Sequence, residues 1–285
     1  MRARRTSIVC TLALLVVLAA CGSDDGTAAR SSTTATGSSD ETSTEADSAE
    51  IETEAEAEEP ALEGTVTVFA AASLTDAFGE LGTAFEEEHP EVTVELSFGA
   101  SSGLREQILA GAPADVFASA NASNMDQVVE AGAAVDPSAF VTNQLQIVVP
   151  AGNPEGIAGL ADFARDELLL GLCAEEVPCG QLALEALAAA AVTPSVDTAE
   201  PDVRSLLTKV EAGELDGGIV YETDVLAAGD AVEGIEIPAA QNVTATYPIA
   251  ALAEAAEPEA AAAFIVFVLS DEGLAILESY GFGAP

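Results

Sequence analysis

Two serines stand where a folded chain offers hydrogen-bond donors to a negative ligand. Ser73 precedes the apolar series Leu74, Phe78, Leu81 and Phe85, and Ser101 precedes Leu104, Ile108 and Leu109. Both series have the spacing of an amphipathic helix. A helix start carries backbone N–H groups without intrahelical partners, together with the positive end of the helix dipole, so a hydroxyl placed there completes a cradle for an anion. Serine at such a position also serves as an ordinary helix cap, and the local sequence leaves both roles open. Chemistry beyond binding has little to work with. The chain has one histidine, His89, no tryptophan and four cysteines, none in a C-x-x-C pair, so metal ligands and catalytic bases are scarce. Serine hydrolysis requires a base beside the nucleophile, and neither serine has an evident one. The chain is therefore expected not to be an enzyme and to use no cofactor.

Other chemically suggestive residues read as structural. His89 precedes Pro90 at a helix end and is expected at the surface. Glu86, Glu87 and Glu88 form a solvated helix end, although three carboxylates bind a divalent cation weakly. Asp115 opens a strand, where it holds a turn or hinge. Charge narrows the partners further: 49 acidic side chains face 8 basic ones, a formal charge of −41, and Arg2, Arg4 and Arg5 sit at the extreme N-terminus. Such a chain repels polyphosphate backbones, which excludes nucleic acid, and it repels anionic lipid surfaces as well.

The elements that must position the serines begin after a long preamble. Residues 1–20 read as an export signal, with a basic start and an apolar stretch from Ile8 to Leu18 that is too short to span a membrane stably. Leu18-Ala-Ala-Cys21 resembles a bacterial lipobox, so Cys21 is expected to carry lipid and tether the mature protein to the outer face of the cell membrane. Residues 21–63 hold 13 acids and one arginine with almost no large apolar side chain. They are expected to form a disordered, self-repelling spacer. Removing the leader removes Cys10, which leaves Cys173 and Cys179 as one pair in an oxidising compartment, and a disulfide is expected. It closes a short loop and contributes roughly 2 kcal/mol on the loop-entropy estimate. A reduced pair beside a thiophilic ligand is the alternative.

Residues 64–285 carry 36 acids against four cations, a net of −32, which suits a high-salt habitat or simply high solubility. Thr65–Ala71, Val92–Phe98 and Asp115–Ala118 read as strands, each followed by a helical pattern. Leu145–Pro150 is a further strand. A second series follows, with strands Leu168–Leu172 and Gly218–Tyr221 and helices Gln181–Ala191 and Arg204–Ala212. Val243–Leu252 is again a strand, and the chain is helical from Glu259 onward. Alternation of this kind predicts an α/β fold with largely parallel sheets covered on both faces, the second series being inserted into the first.

Four blocks together carry a family resemblance: Val68-Phe-Ala-Ala-Ala-Ser-Leu-Thr-Asp-Ala77, Phe98-Gly-Ala-Ser-Ser-Gly-Leu104, Gly111-Ala-Pro-Ala-Asp-Val-Phe-Ala-Ser-Ala120 and Gly218-Ile-Val-Tyr221. In this order, and over essentially all of 64–285, the chain resembles the periplasmic molybdate-binding proteins of ABC importers. The resemblance implies a two-lobed periplasmic-binding-protein fold of type II, each lobe a mostly parallel sheet flanked by helices. Residues 64–142 with 243–285 would form one lobe and 143–242 the other. It implies that the lobes close on molybdate or tungstate, that an ABC permease is the partner, and that the protein works as a monomer. It also implies the site: Ser73 and Ser101 as hydroxyl donors, Cys179 and Val203 as backbone N–H donors at helix starts, and Tyr221 as a third hydroxyl. Cys179 departs from the small residue usual in the family. The other readings that stay open are a lipoprotein for another tetrahedral oxyanion such as sulfate, and an oxyanion sensor without an importer.

Overall fold

The structure, a computed structural model, describes residues 62–285. The leader, Cys21 and all but the last two residues of the acidic spacer lie outside them. Strand β1 (Gly64–Ala71) leads through a 3-10 turn, Ala72–Leu74, into helix α1 (Thr75–Glu88). Strand β2 (Val92–Gly99) leads into α2 (Ser101–Leu109), and β3 (Val116–Ala118) into α3 (Ala122–Glu130). The long β4 (Ser138–Pro150) is followed by β5 (Leu170–Cys173), α4 (Pro178–Ala189), β6 (Thr198–Glu200), α5 (Val203–Glu211), β7 (Gly217–Tyr221), α6 (Glu222–Ala228) and β8 (Val232–Glu236). Strand β9 (Thr244–Ala251) and helices α7 (Pro258–Val268) and α8 (Asp271–Ser279) complete the chain.

The strands form one curled sheet in the order β2-β1-β3-β9-β4-β7-β5-β6, with β8 also on β4. Strand β4 joins its two halves. From Ser138 to Gln144 it pairs with β9, and from Leu145 onward with β7 and β8. Where the partner changes, the Asn242 side chain acts as a short stretch of backbone. It accepts the Leu145 N–H at 3.2 Å and donates to the Leu145 carbonyl at 2.9 Å. Each half has a parallel core, β2-β1-β3 and β7-β5-β6, to which β4, β8 and β9 add antiparallel pairs. The α/β class read from the alternation is observed, while the sheet is mixed and not largely parallel. The return of β9 beside β4 supplies the antiparallel pairs, which strand-helix alternation does not foretell.

Apolar periodicity explains the helices. Ala77, Phe78, Leu81 and Phe85 on α1 are buried together. The Phe85 ring meets Phe264 of α7 edge to face at 5.3 Å, a geometry favoured by aromatic quadrupoles. Several boundaries differ from the sequence reading. Strand β4 begins at Ser138, seven residues before Leu145, because pairing with β9 accommodates the polar run Thr142-Asn-Gln144 that masks it. Helix α4 starts at Pro178, a residue suited to the first turn. The C-terminal helix breaks where the Ser270 hydroxyl accepts the Gly273 N–H at 3.1 Å and caps α8.

All four cations of the described residues are committed to carboxylates: Arg105 to Glu106, Arg165 to Asp162 and Glu167, Arg204 to Asp76 and Asp224, and Lys209 to Glu200. His89 ends α1 half-buried, its ring 4.6 Å from that of Phe85. Glu86 accepts the Val94 N–H at 2.7 Å.

Asp115 is the buried clasp of the first half. One carboxylate oxygen accepts the Thr67 N–H of β1 at 2.7 Å, and the other accepts the N–H groups of Ala256 and Glu257 at 2.6 and 3.3 Å, just before α7. Hydrogen bonds to a buried carboxylate are charge-assisted, and losing them leaves backbone donors unpaired. Asp115→Ala should therefore lower the unfolding free energy in urea by about 2–5 kcal/mol. A loss under about 0.5 kcal/mol would mean that the carboxylate does not hold these segments.

Candidate functional site

Every β–α turn that opens toward the junction of the two half-sheets contributes to one small cavity. It is lined by Ala71, Ala72 and Ser73 after β1, by Gly99, Ala100 and Ser101 after β2, and by Ala120 beyond β3. From the other side come Val177, Pro178 and Cys179 at the start of α4, Asp202 and Val203 at the start of α5, and Tyr221, the residue that caps α6. All five residues expected from the sequence lie in this lining. The cavity is small, about 10 Å³, room for a single compact group.

The position of each donor follows from how its helix begins. Ser101 and Val203 are the first residues of α2 and α5, and Cys179 is the second of α4. Backbone N–H groups there have no carbonyl four residues earlier in the helix to bond, and each helix dipole turns its positive end to the cavity. The Asp202 side chain caps α5 by accepting the Ser205 N–H at 2.8 Å, leaving that of Val203 free of it. Helix α4 is pinned by the Cys173–Cys179 disulfide, as the cysteine count predicts. It also needs Gly180, where a Cβ would lie 2.1 Å from the Ala174 carbonyl oxygen.

Of the two roles left open for the serines, the cap is not observed. Neither caps its helix: no side chain caps the turn Ala72–Leu74, α1 or α2. Instead, Ser101 Oγ accepts the Ala120 N–H at 2.9 Å, which leaves its own proton free. Ser73 Oγ lies 2.9 Å from the Tyr247 hydroxyl, which in turn receives a long contact from Asn143 Nδ2 at 3.5 Å. Burial raises the Tyr247 pKa, so Tyr247 stays neutral, and either hydroxyl can be the donor in its bond with Ser73. The Tyr221 hydroxyl is buried without a hydrogen-bond partner among the described residues. Burial, with lesser contributions from Tyr247 and Asp224, raises its pKa well above the usual value, so it too stays neutral. Ser73, Ser101 and Tyr221 thus bring three hydroxyl-bearing side chains to the cavity lining.

Tyr247 and Asn143 were not identified from the sequence. Their role depends on β9 lying beside β4, and no local signal marks them. Gly99-Ala-Ser-Ser-Gly103 has the letters of a nucleophile elbow in a strand-to-helix turn, yet no histidine lines the cavity. Among the described residues no group of His, Cys, Asp or Glu is placed to hold a metal ion.

Residues 66–283 match the family of bacterial extracellular solute-binding proteins. The chain belongs to that family. Molybdate-binding protein ModA of Mycobacterium tuberculosis (strain ATCC 25618 / H37Rv) is 38% identical over 222 residues, which cover 78% of this chain and 85% of the relative. Among solved structures, the periplasmic molybdate-binding protein of Azotobacter vinelandii superposes with a TM-score of 0.68 at 18% identity, covering 77% of this chain and 99% of the other. The sulfate-binding protein SubI of Mycobacterium tuberculosis H37Rv does so with a TM-score of 0.71 at 21% identity, covering 77% and 86%. At these identities the two structures establish the fold, that of the periplasmic binding proteins, and leave the ligand open. Solute-binding proteins of this family serve transport, and the chain is not an enzyme.

Behind the cavity, Asp224 accepts the Tyr221 N–H at 3.1 Å. Arg204 Nε stands 3.2 Å from Asp224 Oδ1, within ion-pair distance but not directed as a hydrogen bond. Burial raises the Asp224 carboxyl to about 7 against the opposing pull of Arg204 and the Tyr221 N–H, and Asp76 and Asp202 push it further up. The unfolded value is about 4, so between the two values the folded protein holds a proton that the unfolded chain releases. Stability from this group therefore rises as pH falls through 7 toward 4, and its full cost is present above 7. Asp224→Asn removes the titration. The wild type should gain urea stability relative to this variant on acidification across that window, and a flat difference would show Asp224 ionised throughout.

Proposed function

We propose that this chain captures molybdate, and tungstate with it, outside the cell membrane and delivers it to the permease of an ABC importer. The observation that carries this reading is a small cavity where three helix starts meet the hydroxyls of Ser73, Ser101 and Tyr221, in a chain 38% identical to Molybdate-binding protein ModA. A fully ionised oxyanion asks only for donors. Hydrogenphosphate brings a proton that such a lining leaves unpaired, a penalty that rejects it. In this reading size tells molybdate and tungstate from sulfate, since their bonds are longer and call for a wider cavity.

In this reading Ser73, Ser101 and Tyr221 donate through hydroxyls and Cys179 and Val203 through backbone N–H groups. Residues 64–142 with 243–285 and residues 143–242 act as two lobes that close about β4 and the segment before β9. The change of strand partner between Gln144 and Leu145 supports that division. Each lost hydrogen bond to a charged ligand costs about 1.5–3 kcal/mol, or roughly ten- to hundredfold in affinity. In titration calorimetry Ser73→Ala, Ser101→Ala and Tyr221→Phe should each weaken molybdate by about that factor, while Val203→Ala, which keeps its N–H, should have little effect. Unchanged affinity in the three hydroxyl variants, or sulfate bound as tightly as molybdate, would overturn the assignment.

The protein acts as a monomer held to the outer face of the membrane by lipid on Cys21. The support is the Leu18-Ala-Ala-Cys21 sequence and the acidic spacer behind it. Cys21→Ser should block processing or release the protein from the membrane fraction. Mass spectrometry of native mature protein that finds Cys21 unmodified would refute the anchor.

A further inference from the structure

Of the four cations among the described residues, only Arg204 adjoins a residue of the cavity lining, Val203. Its guanidinium reaches carboxylates on both sides of the cleft. Nη2 donates to Asp76 Oδ2, and Nε faces Asp224 Oδ1 at 3.2 Å. Asp76 lies in the first turn of α1, three residues after Ser73, and α1 packs on β1 and β2 of the first half-sheet. Arg204 and Asp224 lie on α5 and α6, which pack on β4 and β7. The Arg204–Asp76 pair therefore runs from one half of the molecule to the other beside the cavity, and neither residue lines it. A neutral counterpart spans the cleft elsewhere, where Asn121 Nδ2, next to the lining residue Ala120, donates to Gln181 Oε1 at 3.1 Å.

The three carboxylate and guanidinium positions differ in exposure. The Asp224 side chain is fully buried, that of Arg204 is 28% exposed and that of Asp76 is 44% exposed. Asp224 is also fixed by the Tyr221 N–H. Asp224 thus stays with the half that carries Arg204, while Asp76 is placed to arrive and leave with α1.

Resting on the oxyanion reading above, we propose that Arg204 and Asp76 form a latch that joins the two halves over the bound ion and sets how long it is retained. Arg204 is a positioning residue in this role, not a ligand. An ion pair across two rigid bodies forms only when they meet, so its attraction stabilises the closed, ion-holding state over the open one. It is partly exposed, so its contribution is modest and screened by salt. Its effect falls on release and not on the contacts to the ion itself.

The test follows dissociation of radiolabelled molybdate, chased with unlabelled ion, from the full mature protein. Asp76→Asn and Arg204→Gln should each release molybdate roughly two- to fivefold faster than wild type at low salt. The double variant should be no faster than Arg204→Gln alone, because both changes remove one bond. Arg204→Lys should restore part of the slow release. The gap to wild type should close at about 1 M salt, and the ligand-free melting temperature of Asp76→Asn, whose side chain is the exposed partner, should stay at the wild-type value. If wild type retains molybdate and Asp76→Asn releases it at the same rate, the latch is wrong while the oxyanion reading stands. Additive single effects, or a gap that persists at high salt, also overturn the latch. If wild type retains no molybdate, the oxyanion reading falls and the latch with it.

Discussion

A multiply charged anion stripped of water must be met by hydrogen-bond donors at close range, and in a domain of net −32 those donors are neutral. Helix starts meet this demand with groups every helix already has: unpaired N–H bonds and the positive end of a dipole, at no cost in buried charge. One helix start is a weak attractor. Concentrating several at one point requires the strands that feed them to end at one place, and the sheet order does this. Strands β1 and β2 from one half and β5, β6 and β7 from the other point their carboxyl ends at the junction where β4 changes partners. That junction is where open α/β sheets bind ligands.

Holding the donors is a second demand, because a hydroxyl aimed the wrong way is an acceptor and repels the ion. Each serine is turned by a group behind it. The Ala120 N–H occupies a lone pair of Ser101, and Ser73 shares a hydrogen bond with the Tyr247 hydroxyl, which Asn143 approaches in turn. Asn143 also donates to Thr223 at 2.8 Å on the helix that Tyr221 caps, so the hydroxyls of both sides are tied to one strand, β4. The disulfide secures the remaining helix start, fixing α4 to the end of β5 while the Cys179 N–H, and not its sulfur, is the proposed donor.

Much of this was legible in the sequence, and the boundary of legibility is physical. Strand-helix alternation sets the α/β class because periods of two and of three to four are local properties. Ser73 and Ser101 were visible for the same reason, although their local surroundings fitted a cap equally well. Distant groups withdrew that option, since Tyr247 is 174 residues from Ser73 in the chain. Cys179, Val203 and Tyr221 have no distinguishing local pattern and came from resemblance to a family alone. The first half of β4 hid behind Thr142, Asn143 and Gln144, whose polarity reads as loop until β9 supplies a partner.

The complete commitment of the four cations to carboxylates bears on how fast the site fills. With no guanidinium or ammonium left over on the described surface, the field that a dianion crosses before it reaches the helix dipoles is set by surplus carboxylates. Encounter between like charges is slow in dilute buffer and quickens as counterions shorten the reach of the field. Most charged-ligand systems rely on steering and lose speed in salt. Here the sign is reversed, and an ionic medium is the one in which this protein meets its ligand most often.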